Sequence, residues 1–166
     1  MPTQTMPKPT TDQAIDDFLS QRRIAVAGVS RRGEGKHGAN RIYRRLKECG
    51  YQVFAVNPEP YRVGGDPCYP TLSAIPGGVQ AVVVATTPNR SAAVIAECWA
   101  LGITRVWTHE SFGEGSATPE AHQACKDAGI DCIAGGCPLM YGRTADPEHR
   151  LARRVLALKG RQASLA

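Results

Sequence analysis

Long apolar runs are missing from this chain of 166 residues. No stretch approaches the length of a bilayer-spanning helix, so a membrane protein is excluded at this level. The first eleven residues, MPTQTMPKPTT, carry three prolines and no apolar run. They have the composition neither of a secretory signal nor of a membrane span, and are expected to form a disordered tail. With no export signal, the expected location is cytoplasmic. Paired C-x-x-C knuckles are also missing. The six cysteines fall at irregular spacings, so neither a disulfide framework nor a zinc site is assigned; His122, Cys125, Cys132 and Cys137 are the nearest approach to a ligand set. There is no G-x-G-x-x-G after the first predicted strand, no acidic residue ending the second, no Walker loop and no G-x-S-x-G elbow. These absences weigh against NAD and against an α/β-hydrolase. Aromatics interleaved with basic residues are lacking as well, so nucleic acid is not an expected partner despite the net charge of +5.

What remains is organised around residues 24–40, IAVAGVSRRGEGKHGAN. Small and β-branched apolar residues from Ile24 to Ala27 break at Gly28, cross a basic glycine-rich loop, and enter an amphipathic segment near Gly38. This is the pattern of a buried strand, a phosphate-facing loop and a helix N-terminus, with Ser30, Lys36 and His37 as further donors. Basic residues cluster in sequence here (Arg22, Arg23, Arg31, Arg32, Lys36, Arg41, Arg44, Arg45, Lys47), and the field they imply suits a phosphorylated small ligand.

Strand and helix patterns alternate along the rest of the chain. A capped helix is predicted from Thr11, then a helix over 39–48 stopped by Gly50, a strand over 51–56, and a Pro/Gly-rich loop over 59–78 with a turn of helix near Leu72. A fully apolar strand follows over 79–85. Asn89 is the expected N-cap of a helix over 90–101, whose apolar positions are Ala93, Val94, Cys98 and Leu101. Strands over 104–107 and 130–134, a helix from Pro119 to Gly129, and a last helix from Pro147 to about Lys159 complete the pattern. The expected fold is α/β, a doubly wound parallel sheet of about five strands flanked by helices. The domain should span residues 12–160. In such a sheet ligands lie beyond the carboxyl ends of the strands. That rule gathers the glycine-rich loop, Asn57 and Pro58, the turn from Thr86 to Asn89 (with Thr87 and Pro88), and the loop from Thr108 to Gly115.

Read together, IAVAGVS, the Lys36-His37-Gly38 step, YQVFAVNP, CYPTLSAIP over 68–76 and the apolar strand into TTP resemble the small stand-alone CoA-binding proteins. Those proteins share a Rossmann-like fold with the CoA-binding domain of the succinyl-CoA synthetase alpha subunit. The resemblance runs from about Asp12 to Met140. It implies that Gly28, Ser30 and Gly38 border a pyrophosphate with Lys36 as phosphate partner. It further implies that Asn57 and Pro58 lie beside adenosine, that Thr87 and Pro88 meet the middle of the cofactor, and that the loop after Trp107 lies near the pantetheine arm. The basic cluster would offset the 3′-phosphate and pyrophosphate.

The resemblance also places a cysteine at Cys137, which reads either as a reactive thiol with a lowered pKa at a strand-to-helix turn or as a buried small residue at a tight turn. Trp99, Trp107 and Tyr141 are candidates for a buried patch, and His37, His109, His122 and His149 read as surface residues. No second domain with a phosphorylated histidine is visible, so binding of CoA or acyl-CoA by a non-catalytic carrier or sensor is favoured. An NAD(P)-binding redox enzyme or sensor, NADP being the cofactor the basic residues would allow, and a partner-binding domain without a ligand are the alternatives.

Overall fold

The computed structural model describes residues 7–30, 38–59, 62–110 and 115–166. The elements are α1 (Thr11–Ser20), β1 (Arg23–Ala27), α2 (Gly38–Glu48), β2 (Gln52–Val56), β3 (Arg62–Val63), β4 (Asp66–Tyr69) and β5 (Ala81–Val84). They continue as α3 (Pro88–Ala100), β6 (Arg105–Thr108), α4 (Pro119–Ala128), β7 (Ile133–Ala134), α5 (Pro147–Leu158) and β8 (Ser164–Leu165). None of the described helices is long and apolar enough to cross a membrane.

The sheet has eight strands in the order β3-β4-β2-β1-β5-β6-β7-β8. Strands β4, β2, β1, β5, β6 and β7 run parallel, while β3 and β8 close the two edges antiparallel. The fold is therefore α/β and mostly parallel, Rossmann-like, with eight strands rather than about five. Two of the extra strands come from the segment expected to be loop: Gly64 and Gly65, both at positive φ, turn β3 into β4 as a two-residue hairpin. The short β8 pairs with β7 beyond residue 160, at Ala134↔Ser164 and Ile133↔Leu165.

β1 lies at the centre because it tolerates burial on both faces. Ile24 to Ala27 are at most 1% exposed, as a parallel strand flanked by β2 and β5 requires. Side chains alternate: Ile24 and Val26 enter the core under α1, α2 and α5, whereas Ala25 and Ala27 enter the one under α3 and α4. Trp107 anchors the first core between Phe18 and Tyr141, each 5.5 Å away between ring centroids. Its indole N–H donates to the Gly135 carbonyl at 2.9 Å. Trp99, in contrast, is 64% exposed and joins no buried patch.

Local chemistry sets the helix starts. Thr10, not Thr11, caps α1 in a capping box: its hydroxyl accepts from the Gln13 amide, and the Gln13 side chain accepts from the Thr10 amide. α3 begins two residues earlier than expected, with Thr87 as N-cap and Pro88 first in the helix. The fixed φ of proline is already helical and its missing N–H would be unpaired there in any case. The core face of α3 is Ser91, Ile95 and Cys98; Ala93 and Leu101 are exposed and Val94 is half-buried.

Candidate functional site

A cleft of about 890 Å3 opens at the carboxyl ends of the central strands, within the range of small-molecule sites, about 300–1,000 Å3. Its floor is made where β1, β2, β5 and β6 stop, and it is lined by Gly28, Ser30, Gly38, Asn57, Pro58, Thr86, Thr87 and Pro88. Eight of the residues picked from sequence thus face one space. Lys36 and His37 lie outside the described residues, as do Arg31 and Arg32.

Gly28 cannot be replaced without movement. Its φ is +103°, and a Cβ would stand 2.2 Å from the Ala85 carbonyl oxygen, because the chain leaving β1 crosses directly against the end of β5. Its amide donates to the Val56 carbonyl at 3.0 Å, which ties the ends of β1 and β2 together. Beyond it, buried Asn40 in the first turn of α2 clamps the loop. The Asn40 carbonyl oxygen accepts from the Ser30 amide at 2.8 Å, and its NH2 donates to the Ser30 carbonyl at 2.7 Å. Asn57 clamps the neighbouring backbone in the same way, its NH2 donating to the Val29 carbonyl at 2.8 Å and its oxygen accepting from the Glu59 amide at 2.9 Å. Both side chains shape the cleft wall through the backbone.

On the β5 side, the Ser116 hydroxyl donates to the Thr86 carbonyl at 2.7 Å, and the Thr87 hydroxyl donates to Asn89 at 2.7 Å. Thr108 belongs elsewhere. It is fully buried, its hydroxyl donates to the Ile133 carbonyl at 3.4 Å, and the cleft begins one residue later, at His109. The two-residue period of β6 turns consecutive side chains to opposite faces, so a shift of one residue separates core from site.

Several lining residues escape the sequence reading. Arg90, Ala93, Val94 and Glu97 form one stripe of α3 facing the cleft, spaced i, i+3, i+4, i+7. That stripe lies beside the one that enters the core. Pro70 and Thr71, after β4, also line the cleft. Of the described members of the basic cluster expected around the loop, Arg41, Arg45 and Lys47 are directed away from the cleft. Arg41 pairs with Glu148 at 2.6 Å, Arg45 donates to the Thr144 carbonyl at 3.2 Å and Lys47 pairs with Asp66. Arg23 sits at the opposite end of the sheet. Among the described residues, Arg90 is the arginine or lysine that lines the cleft.

His109 is not a surface residue. Its ring stands against Gly38, where a Cβ would lie 2.8 Å from Cε1. Burial, then the neighbouring His149, holds its pKa down to about 4, with Glu110 opposing. Cys137 is 2% exposed and packs in the core with α2 and α5. Burial pushes its thiol up to about 12, which fits the buried residue at a tight turn and not the reactive thiol with a lowered value. Of the suspected metal set, Cys125 and Cys132 are in the core under α3 and α4, while Cys137 is in the other core.

Over 75 residues the chain is 35% identical to the ADP-forming acetate–CoA ligase I of Archaeoglobus fulgidus. The match takes in 45% of this chain and spans 11% of that ligase. A hypothetical protein from Pyrococcus horikoshii OT3 superimposes with a TM-score of 0.68 at 26% identity, covering 80% of this chain and 92% of that one. A Thermus thermophilus protein of solved structure gives 0.63 at 27% identity, over 85% and 98%. The acetyl-coenzyme A synthetase 1 of Ca. Korarchaeum cryptofilum, solved with phosphate and ADP, shares the fold at a TM-score of 0.57 and 24% identity, over 69% of this chain and 25% of that one. The sequence profile described as a CoA binding domain matches residues 22–143. That match covers more than half of the chain, and with it the chain belongs to the CoA binding domain family.

Proposed function

We propose that the cleft binds coenzyme A, free or acylated, and that the chain acts as a non-catalytic carrier or sensor of that ligand. The observation that carries this reading is the convergence of four strand-end segments, Gly28–Ser30, Asn57–Pro58, Thr86–Pro88 and His109, on one cleft beside the first turn of α2. The donor set fits the group. Backbone amides near Gly38 and Ala39, the Arg90 guanidinium and the His109 imidazole match phosphates, while Val56, Pro58, Pro70 and Val94 supply apolar wall for an adenine or a pantetheine chain. Lys36 and His37 enter from the sequence as further phosphate partners.

A binding role is supported over a nucleophilic one by where the reactive groups are held. The Ser116 and Thr87 hydroxyls donate to neighbouring oxygens, and the Cys137 thiol is enclosed and protonated near neutral pH. A thermal-shift titration with CoA, acetyl-CoA, NAD and NADP at matched concentrations tests the reading. A ligand that binds the native state alone adds about 2.7 kcal/mol at 100 times its dissociation constant. The expected result is a shift with the CoA compounds. A shift with NADP alone would move the function to redox chemistry, and none at all would favour a protein partner.

A further inference from the structure

We propose that His109 is an anion ligand of the cleft: its imidazole contacts a phosphate of the nucleotide beside the first turn of α2 and takes up one proton from solvent as the ligand binds. The inference rests on the CoA-binding reading and adds a named ligand and a proton to it.

The geometry is specific. β6 ends at Thr108, and His109 is the first side chain past it to reach the cleft. Its Cε1 lies 2.8 Å from where a Gly38 Cβ would be, with Nε2 and Nδ1 at 3.3 and 3.5 Å from the same point. A ring can stand this close to α2 because residue 38 has no side chain. Asn57, Thr87 and Ser116 each donate to an acceptor within the protein. The His109 ring makes no hydrogen bond or ion pair among the described residues, so its polar atoms are available to a ligand.

The surroundings keep the free ring neutral. On α5, His149 bonds through Nδ1 to Asp146 at 2.8 Å and disfavours the charged form of the His109 ring. On the chain following β6, Glu110 favours the charge, but it is held by Arg161 at 2.5 Å. On α2, residues 38–40 carry no titratable group, and their amide dipoles disfavour a cation. An incoming phosphate reverses this balance, because an opposite charge within contact favours the charged imidazole, which then donates both N–H groups. The proton comes from the buffer and resides on a ring nitrogen; no bond is broken.

Proton uptake makes binding tighter as pH falls. With the free-state pKa of about 4 raised by a bound phosphate, linkage gives roughly tenfold tighter binding at pH 5 than at pH 7. The test is calorimetry with CoA and with 3′-dephospho-CoA, which lacks the phosphate monoester that itself titrates near about pH 6, each in two buffers of different ionisation enthalpy. Wild type should take up a proton and show the tenfold slope, and His109→Gln should bind more weakly at pH 5 with a slope under about twofold. Equal slopes and affinities in the two proteins would overturn the assignment while leaving CoA binding intact. Absence of binding to either ligand at any pH would remove both. Imidazole NMR of the wild type supplies a check that needs no variant: the His109 pKa should rise by about two units on saturation, and an unchanged value would overturn the proposal.

Discussion

The two ends of the parallel sheet hold similar chemistry and use it differently. At the amino ends, polar side chains bond to one another and to the backbone. Arg23 donates to the carbonyls of Gly78 at 2.9 Å and Pro76 at 2.5 Å and to Gln52 at 3.1 Å, and its guanidinium lies 4.6 Å from the Phe54 ring centroid. Gln80 accepts from the amides of Arg22 and Arg23 at 3.0 and 3.1 Å. At the carboxyl ends, the same kinds of residue line a cleft, and Arg90 and His109 make no side-chain hydrogen bond or ion pair among the described residues. An arginine can hold a fold together or await an anion, and the partners within reach decide which.

The comparison can be broken by substitution. The largest effect is expected at Gly28, where positive φ and the crossing against Ala85 coincide. Gly28→Ala should destabilise the fold by about 3 kcal/mol in denaturant unfolding. A loss under about 0.5 kcal/mol would show that the crossing is loose. At the closed end, Arg23→Ala should cost about 2 kcal/mol of stability through its charge-assisted bonds and leave CoA affinity unchanged by calorimetry. A parallel loss of affinity would mean that the two ends are coupled.

At the open end the pattern inverts, and pH exposes it. The folded His109 refuses a proton down to about pH 4, while the unfolded residue accepts one near its usual 6.5. Wild-type stability therefore falls as pH drops from 6.5 towards 4, a loss His109→Gln does not share. Between neutral pH and pH 5 the stability difference should move in favour of the variant by about 1 kcal/mol, after allowing for partial solvent access. Chemical unfolding at the two pH values measures it, and a constant difference would refute the buried neutral ring. Arg90→Ala should leave stability within about 0.5 kcal/mol and weaken CoA binding by about 1 kcal/mol. Unchanged affinity would make Arg90 a solvated rim residue.

Much of the cleft was legible because strand ends announce themselves. The apolar runs stop at Gly28, Asn57 and Thr86, and the rule that a parallel sheet binds at its carboxyl ends collects the three. Thr108 was misplaced by one residue, since alternation along β6 is strict but its phase is set by packing against Cys132 and Trp107. The described flanks of the basic cluster misled for a different reason: nearness in sequence is not nearness in space. α2 carries Arg41 outward to α5, and Arg23 sits at the opposite end of β1 from the loop, about 13 Å away at the usual strand rise. The cleft-facing stripe of α3 was hidden because Ala93 and Val94 read as core together with Cys98, whereas Ile95, one position past Val94, is buried beside Cys98. Asn40 gave no signal, since a polar residue in a helix reads as exposed until its partner at Ser30 is known. The β3–β4 hairpin did carry one, in the Gly64-Gly65 pair between short strands.

The most direct measurement is amide chemical-shift mapping of the protein with CoA. If the carboxyl-end cleft is the CoA site, saturable shifts should concentrate at Gly28, Ser30, Asn57, Thr87 and His109, while Arg23, Gln80 and Ile103 at the other end stay still. Saturable shifts centred on the amino ends of the strands, or no saturable shift at all, would contradict it.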